Sequence, residues 1–209
     1  LSPVPTIAQV KAEVADAFCA DSGMVRVRSL RALMLAGKAF GLHPDGMGTR
    51  VLLLSNSGGP GVLAADWVNE TRLELGRLSP ASAEALSRKL PALASLTDLI
   101  DLSQTAGPEH YRVALQAAAK DRQIDGVLVI FSPKIGVDAA EVAKVLAEVH
   151  RTMGKPLLTC WMGEASVGEG RAVLKSAAIP TFRTPEAAVG AFGNIANFAQ
   201  NQLLLQQTP

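Results

Sequence analysis

Unbroken apolar runs alternate along the chain with stretches in which apolar residues recur at helical spacing. Residues 51–54, 126–131 and 156–161 are apolar at nearly every position, as in strands covered on both faces of a parallel sheet. Residues 137–150 have the three-to-four-residue apolar spacing of an amphipathic helix. Strands that alternate with helices predict an α/β fold with parallel pairing and right-handed crossovers.

The remaining pattern predicts shorter elements. Strands are expected at residues 24–27, 73–75, 100–102 and 180–182, and helices at 6–19, 30–40, 111–119, 168–178 and 184–200. A further helix is expected to begin with the capping segment at residues 79–84. Residues 42–49 contain two glycines and a proline and form the best linker in the sequence, so a domain boundary is predicted there. The polar tail, residues 201–209, has the composition of a linker despite its Leu-Leu-Leu patch.

A glycine-rich turn follows the first buried strand and opens a helix. Its residues are Asn56, Ser57, Gly58, Gly59, Pro60 and Gly61. Pro60 suits the first turn of a helix, because it has no backbone N–H and its φ is preset. Free N–H groups and the positive end of the helix dipole would suit a phosphate or carboxylate. The spacing matches neither dinucleotide nor P-loop fingerprints, so an ordinary tight connection is the alternative.

Two further polar turns, residues 132–136 and 162–166, also follow predicted strands. In a parallel sheet, the carboxyl ends of the strands meet at one edge, where ligands bind. Ser132 and Lys134 are therefore candidates to join the glycine turn, although each turn taken singly resembles an ordinary loop.

Composition excludes several classes of protein. Apolar residues make up 48% of the chain, aromatics only 4%, and the net charge is +1, with no basic stripe suited to nucleic acid. No run is long enough to span a membrane, and no signal peptide is visible. The two cysteines, Cys19 and Cys160, are too far apart for a metal motif, so a cytoplasmic location and no metal site are expected.

Several motifs in a fixed order resemble one family, the NDP-forming acyl-CoA synthetases related to succinyl-CoA synthetase. These motifs lie at residues 55–66, 131–133, 154–156, 161–164, 169–171 and 179–186. The resemblance covers about residues 22–209. It implies a flavodoxin-like or Rossmann-like domain of the succinyl-CoA synthetase ligase-domain type, with helices on both faces of the sheet. Residues 1–45 would be the remnant of a preceding ligase domain plus a linker, 46–200 the CoA-ligase domain, and 201–209 a linker.

The resemblance also implies a chemistry. Members of the family pass a phosphoryl group from ATP to a histidine, then to the carboxylate, and the acyl phosphate reacts with CoA. The phosphohistidine lies between two helix N-termini, one of which matches Gly59, Pro60 and Gly61. The parent protein would use CoA, ATP and Mg, a small carboxylate substrate, and neighbouring CoA-binding, ligase and ATP-grasp domains. No catalytic residue and no tightly bound cofactor are expected in this piece.

The sequence departs from the family pattern at the histidine. The family's His-Thr-Gly-Ala type segment would fall near Val4 and Pro5, and His43, His110 and His150 do not replace it. The leading hypothesis is a CoA-ligase domain of an ADP-forming acyl-CoA synthetase. The alternative is a non-catalytic, ligand-sensing domain of a protein lysine acetyltransferase that has lost the histidine.

Overall fold

The computed structural model describes residues 12–43 and 47–207, and within this part the chain alternates between helices and strands. The elements in order are α1 (Ala12–Asp21), α2 (Leu30–Phe40), β1 (Arg50–Ser55), α3 (Gly58–Asn69), β2 (Glu74–Leu75), α4 (Pro80–Ser87), β3 (Ser95–Leu96), β4 (Leu99–Asp101), α5 (Pro108–Lys120), β5 (Gly126–Phe131), α6 (Ala139–Met153), β6 (Leu157–Trp161), a short 3₁₀ turn (Ala165–Val167), α7 (Gly168–Ser176), β7 (Thr181–Phe182) and α8 (Pro185–Gln207).

The strands form one mostly parallel sheet. Its order is β3-β4-β1-β5-β6-β7, and β2 also pairs with β1. All pairs are parallel except β3 with β4, which is antiparallel. The predicted α/β fold is therefore confirmed, with an antiparallel edge strand that the sequence pattern did not predict.

Helices cover both faces of this sheet, which explains why its strands are apolar without alternation. Leu52, Leu54 and Val129 face a cluster built with α5 and α6, and Leu53 and Ile130 face a second cluster built with α3 and α8. Neighbouring residues of a strand point to opposite faces, so both sets have to be apolar.

Local signals fix several element boundaries, and those at Ser29 and Ser79 are as predicted. Ser29 caps α2 by accepting a hydrogen bond from the Ala32 N–H, and Ser79 caps α4 in the same way. Asp138 caps α6, and Gly154 ends it in the left-handed conformation with φ 65°. Local side-chain capping and the freedom of glycine determine these boundaries, so no tertiary contact is needed to explain them.

Three predicted elements differ from the structure near the chain ends. Residues 24–27 form no strand; instead, the carbonyl oxygens of Gly23 and Met24 accept hydrogen bonds from Gln202 and Asn201. These contacts hold the last turns of α8, so residues 201–207 are helical. The assignment of residues 201–209 as a linker between domains stays a prediction. The predicted helix at 6–19 is described only from Ala12 and ends at Asp21. Its first residues, together with residues 1–5, lie outside the described part.

The segment before residue 46 contacts the rest of the fold. The Phe40 ring meets Phe198 of α8 edge-on, with 5.2 Å between the ring centroids. Ala39 is fully buried in the cluster formed with α3 and α8. The division into domains at residues 45 and 46 stays a prediction, and residues 44–46 of the linker lie outside the described part.

No helix in residues 12–43 or 47–207 combines the length and apolar character needed to cross a bilayer.

Candidate functional site

The glycine turn forms the first turn of α3. Ser57 is the N-cap, and its hydroxyl makes no capping hydrogen bond. The helix starts at Gly58, so Pro60 occupies the third helical position and lies in the first turn, as predicted. A helix leaves its first N–H groups without intrahelical partners, so Gly58 and Gly59 present donors at the positive end of the dipole. A Cβ on Gly59 would meet no atom within 4 Å, so this donor is open to approach.

Asn56 links this turn to the end of β5. Its side-chain amide donates to the Ser132 carbonyl oxygen at 2.9 Å, and its side-chain oxygen accepts from the Ser132 N–H at 2.8 Å. Asn56 is fully buried. The side chain predicted as a ligand donor therefore holds the two loops in register and does not face the solvent side of the turn.

Lys134 reaches the same turn from the loop after β5. Its Nζ lies 3.5 Å from the Ser57 hydroxyl oxygen. The structure thus brings together Ser57, Gly58 and Gly59 with Lys134, as the common edge of a parallel sheet predicts. A cation beside a helix N-terminus strengthens the preference of this site for an anion.

The third predicted turn, residues 162–166, joins this edge at the side of β6. The Ser132 hydroxyl donates to the Met162 sulfur at 3.7 Å. A Cβ on Gly163 would lie 2.9 Å from the Pro133 side chain, so these two loops touch. Glu164 is an exposed carboxylate that forms an ion pair with Arg183 at 2.6 Å.

A fourth loop, after β4, also contributes to the site and was missed by sequence reasoning. Asn56, Ser57, Gly58 and Lys134 line a cleft of about 390 Å³ together with Leu93, Asp101, Ser103, Gln104 and Thr105. The Asp101 carboxylate accepts from the Ser103 N–H at 2.9 Å, and Ser103 has a φ of 71°. The signal that could have revealed this loop is Asp101 itself, a carboxylate directly after a strand.

Asp101 adds a negative charge to the cleft, which also contains the positive charge of Lys134. A Cβ placed on Gly58 would lie 3.3 Å from its carboxylate oxygen, so the carboxylate lies beside the first turn of α3. The Tyr111 hydroxyl is buried behind this loop, and burial together with the Asp101 charge raises the pKa of Tyr111. Its phenol therefore stays protonated.

The three histidines do not contact the glycine turn. His110 Nδ1 accepts a hydrogen bond from the Gly107 N–H at 3.0 Å and caps α5. His43 and His150 pack edge-on against each other, with ring centroids 6.4 Å apart. Among the described residues, no three His, Cys, Asp or Glu side chains come together as a metal site would require. Burial raises the pKa of Cys160 to about 12, so this thiol is no nucleophile at neutral pH.

Exposed apolar side chains surround the cleft. Leu93 and Ile135 on the edge loops are 82% and 106% exposed, and Val62 and Leu63 on α3 are more than half exposed. Apolar side chains are also exposed on α1, on α2 and at the end of α8, so exposed apolar surface is not confined to the cleft.

Comparison with known proteins agrees with this geometry. The family model for the Ligase-CoA domain matches residues 51–206, which include the whole sheet except the first residue of β1, and the whole candidate site. The chain belongs to the Ligase-CoA domain family. This match confirms the resemblance to NDP-forming acyl-CoA synthetases.

The chain is similar to parts of longer enzymes. It is 31% identical over 148 residues to the ADP-forming acetate–CoA ligase I of Archaeoglobus fulgidus, covering 71% of this chain and 21% of that protein. It is 28% identical over 196 residues to the alpha subunit of the ADP-forming acetate–CoA ligase II of Pyrococcus furiosus, covering 90% of this chain and 42% of that subunit. The chain therefore spans well under half the length of these curated relatives.

A solved structure shows the same fold. The apo form of acetyl-coenzyme A synthetase 1 from Candidatus Korarchaeum cryptofilum superposes with a TM-score of 0.87 at 22% identity. The match covers 99% of this chain and 44% of the synthetase chain. The same synthetase has also been solved in complex with phosphate and ADP.

Proposed function

We propose that this chain is the CoA-ligase domain of an ADP-forming acyl-CoA synthetase, which makes acyl-CoA, ADP and phosphate from a carboxylate, ATP and CoA. The observation that carries the proposal is the open N-terminus of α3 with Lys134 beside it, in a chain of the Ligase-CoA domain family. Relatives named as ADP-forming acetate–CoA ligases support the reaction type.

In this proposal the glycine turn holds the phosphoryl group while it passes between carriers. The N–H groups of Gly58 and Gly59 would donate to the phosphoryl oxygens, and the Lys134 ammonium and the Ser57 hydroxyl would add further donors. Such donors stabilise a dianion without reorganising during the reaction. The Asp101 carboxylate disfavours an anion at Gly58, which makes Gly59 and the Lys134 side of the turn the favoured position.

The other components would come from the rest of the parent protein. CoA, ATP with Mg and the phosphoryl-carrying histidine would belong to neighbouring CoA-binding, ATP-grasp and ligase domains. One of these domains would cover the exposed Leu93 and Ile135 at the edge of the cleft. The 209-residue chain alone should therefore release no ADP, and turnover by it would contradict this assignment.

The test uses the intact parent protein with acetate or another small carboxylate, CoA and ATP. ADP and acyl-CoA are expected to form in equal amounts. Acyl transfer to a protein lysine without ADP would overturn the proposal and favour a ligand-sensing domain.

Variants of the parent test the site itself. Gly59→Leu places a side chain over the open N–H groups and should reduce ADP formation by at least about a hundredfold. Gly168→Leu is the matched control, because Gly168 also begins a helix and a Cβ there also meets no atom within 4 Å. Lys134→Met should reduce turnover about tenfold or more. Full activity in Gly59→Leu would exclude the glycine turn from the chemistry.

A further inference from the structure

A second cleft, of about 520 Å³, lies at the opposite side of the sheet from β4, between α2, α7 and β7. Four of its lining residues are cationic: Lys38, Arg171, Lys175 and Arg183. Leu42, Ala178 and Ile179 supply apolar lining, and Thr181 completes the set. We refer to it as the basic cleft.

Two of the cations are held in place by the fold. The Lys38 ammonium donates to the Thr181 carbonyl oxygen and lies 5.2 Å from the centre of the Phe182 ring. Arg171 donates to the Trp161 carbonyl oxygen at 2.7 Å and to the Gly163 carbonyl oxygen at 2.5 Å. Backbone carbonyls orient these side chains but do not neutralise their charge.

The positive charge of the basic cleft is only partly compensated. None of its described lining residues carries a carboxylate, and Glu164 outside it pairs with Arg183 at 2.6 Å and with Arg171 at 3.8 Å. The buried Arg171 Nε has no hydrogen-bond partner among the described residues. Burial and the neighbouring Lys175 charge both lower the pKa of Lys38. Like charges that repel each other in this way are stabilised when an anion binds between them.

The mixed lining restricts the kind of anion. The four cations and the one nearby carboxylate leave an excess of positive charge. A ligand with a single negative charge would compensate only part of this excess. Arginine forks and lysine ammonium groups together suit phosphate oxygens. Leu42 and Ala178 offer apolar surface to an organic body, and the volume lies in the range of small-molecule sites.

We propose that the basic cleft binds a small phosphorylated organic molecule that carries two or more negative charges. The phosphate contacts Lys175 and Arg183 at the exposed side, with Arg171 and Lys38 behind them. The organic part packs on Leu42 and Ala178. This inference concerns a different surface from the glycine turn and does not depend on the proposed function.

The test uses the 209-residue chain, with ADP as the probe and adenosine as the uncharged control. ADP should bind measurably by calorimetry, should shift the backbone amide signals of Ile179 and Thr181, and should weaken as salt is raised. Adenosine should bind at least about tenfold more weakly. Equal affinity for the two would overturn the proposal.

Substitutions separate this site from the glycine turn and from general charge effects. Lys175→Met combined with Arg183→Met should weaken ADP binding at least about tenfold, because both side chains are exposed and can be removed without disturbing the core. Lys89→Met combined with Arg122→Met removes the same charge elsewhere and should leave binding unchanged. Lys134→Met should leave ADP binding unchanged, because a loss of binding in this variant would show that ADP binds at the glycine turn.

Three results would contradict the proposal. They are unchanged ADP binding in the double variant at the basic cleft, an equal loss in the charge control, or loss in Lys134→Met alone. If a polyglutamate peptide shifts the Ile179 and Thr181 signals and ADP does not, the cleft binds an acidic protein segment and the small-molecule proposal is wrong. Thermal unfolding of each variant shows whether its fold is retained.

Discussion

The side-chain amide of Asn56 and the backbone of Ser132 form a two-way pair, with hydrogen bonds of 2.9 and 2.8 Å across the ends of β1 and β5. The pair fixes the distance between the first turn of α3 and the loop that carries Lys134. A cleft that depends on N–H groups from one loop and an ammonium from the next needs such a link.

Asn56→Ala should lower the free energy of unfolding by about 1–3 kcal/mol, because the N–H and C=O of Ser132 lose their partners in a part-buried place. Urea unfolding measures this loss. Ser57→Ala is the control, since the Ser57 hydroxyl makes no capping bond, and it should cost less than about 1 kcal/mol. Equal stability of the two variants would show that the link is dispensable.

Gly170 allows α7 to approach α6 and β6 closely. A Cβ at this position would lie 2.7 Å from Trp161 Nε1 and 2.8 Å from the Ala139 carbonyl oxygen. Gly170→Ala should therefore destabilise the fold by about 1–3 kcal/mol through overpacking. Gly168→Ala, in the same helix but facing open space, should change stability by less than about 1 kcal/mol in either direction. Thermal melts of both variants test the contrast.

Asp121 should make the fold sensitive to acid. Burial disfavours its charge, but hydrogen bonds from the Gln123 and Ser79 N–H groups and from nearby hydroxyls outweigh burial and lower its pKa to about 2. Because the unfolded chain binds this proton more readily, the stabilisation is present above the ordinary pKa of 3.8 and is lost as the pH falls towards 2.

Asp121→Asn should remove part of this dependence. Its stability at pH 7 should fall by about 1–2 kcal/mol, and its further loss below pH 4 should be smaller than in the wild type. Urea midpoints measured from pH 7 to pH 3 give both quantities. Parallel acid profiles for the two proteins would contradict the role of Asp121.

The His43–His150 pair should make the stability of the fold depend on pH in a higher range than Asp121 does. Burial lowers the pKa of both rings from the ordinary value of 6.5, and the His150 charge lowers that of His43 further. Both rings stay neutral in the folded state, while the unfolded chain takes up protons near its unperturbed pKa. Stability should therefore be full above about pH 7.5 and fall as the pH drops below 6.5.

His150→Gln should flatten this dependence between pH 7.5 and pH 5.5, as measured by thermal unfolding. His110→Gln is the control, because His110 lies apart from the pair at the start of α5, and it should retain the wild-type profile. A wild-type profile in His150→Gln would exclude the pair as the cause.

The sequence by itself determined the parts of this protein that depend on local physics. Unbroken apolar runs at residues 51–54 and 126–131 specify buried parallel strands, and Ser29, Ser79 and Asp138 begin helices because their side chains satisfy free N–H groups. The order of motifs identified the family, which the Ligase-CoA match confirmed. Parallel pairing also predicted that Ser57 and Lys134 would lie at one edge, where they lie 3.5 Å apart.

Only the tertiary structure decided features that depend on residues distant in the chain. Residues 201–207 are polar enough for a linker, but they are helical because Asn201 and Gln202 bind the carbonyl groups of Met24 and Gly23. Asp101 joined the site because β4 lies beside β1, and no local pattern specifies that strand order. The basic cleft gathers Lys38 and Arg183 from opposite ends of the sequence, because packing, and not sequence spacing, brings α2 against β7.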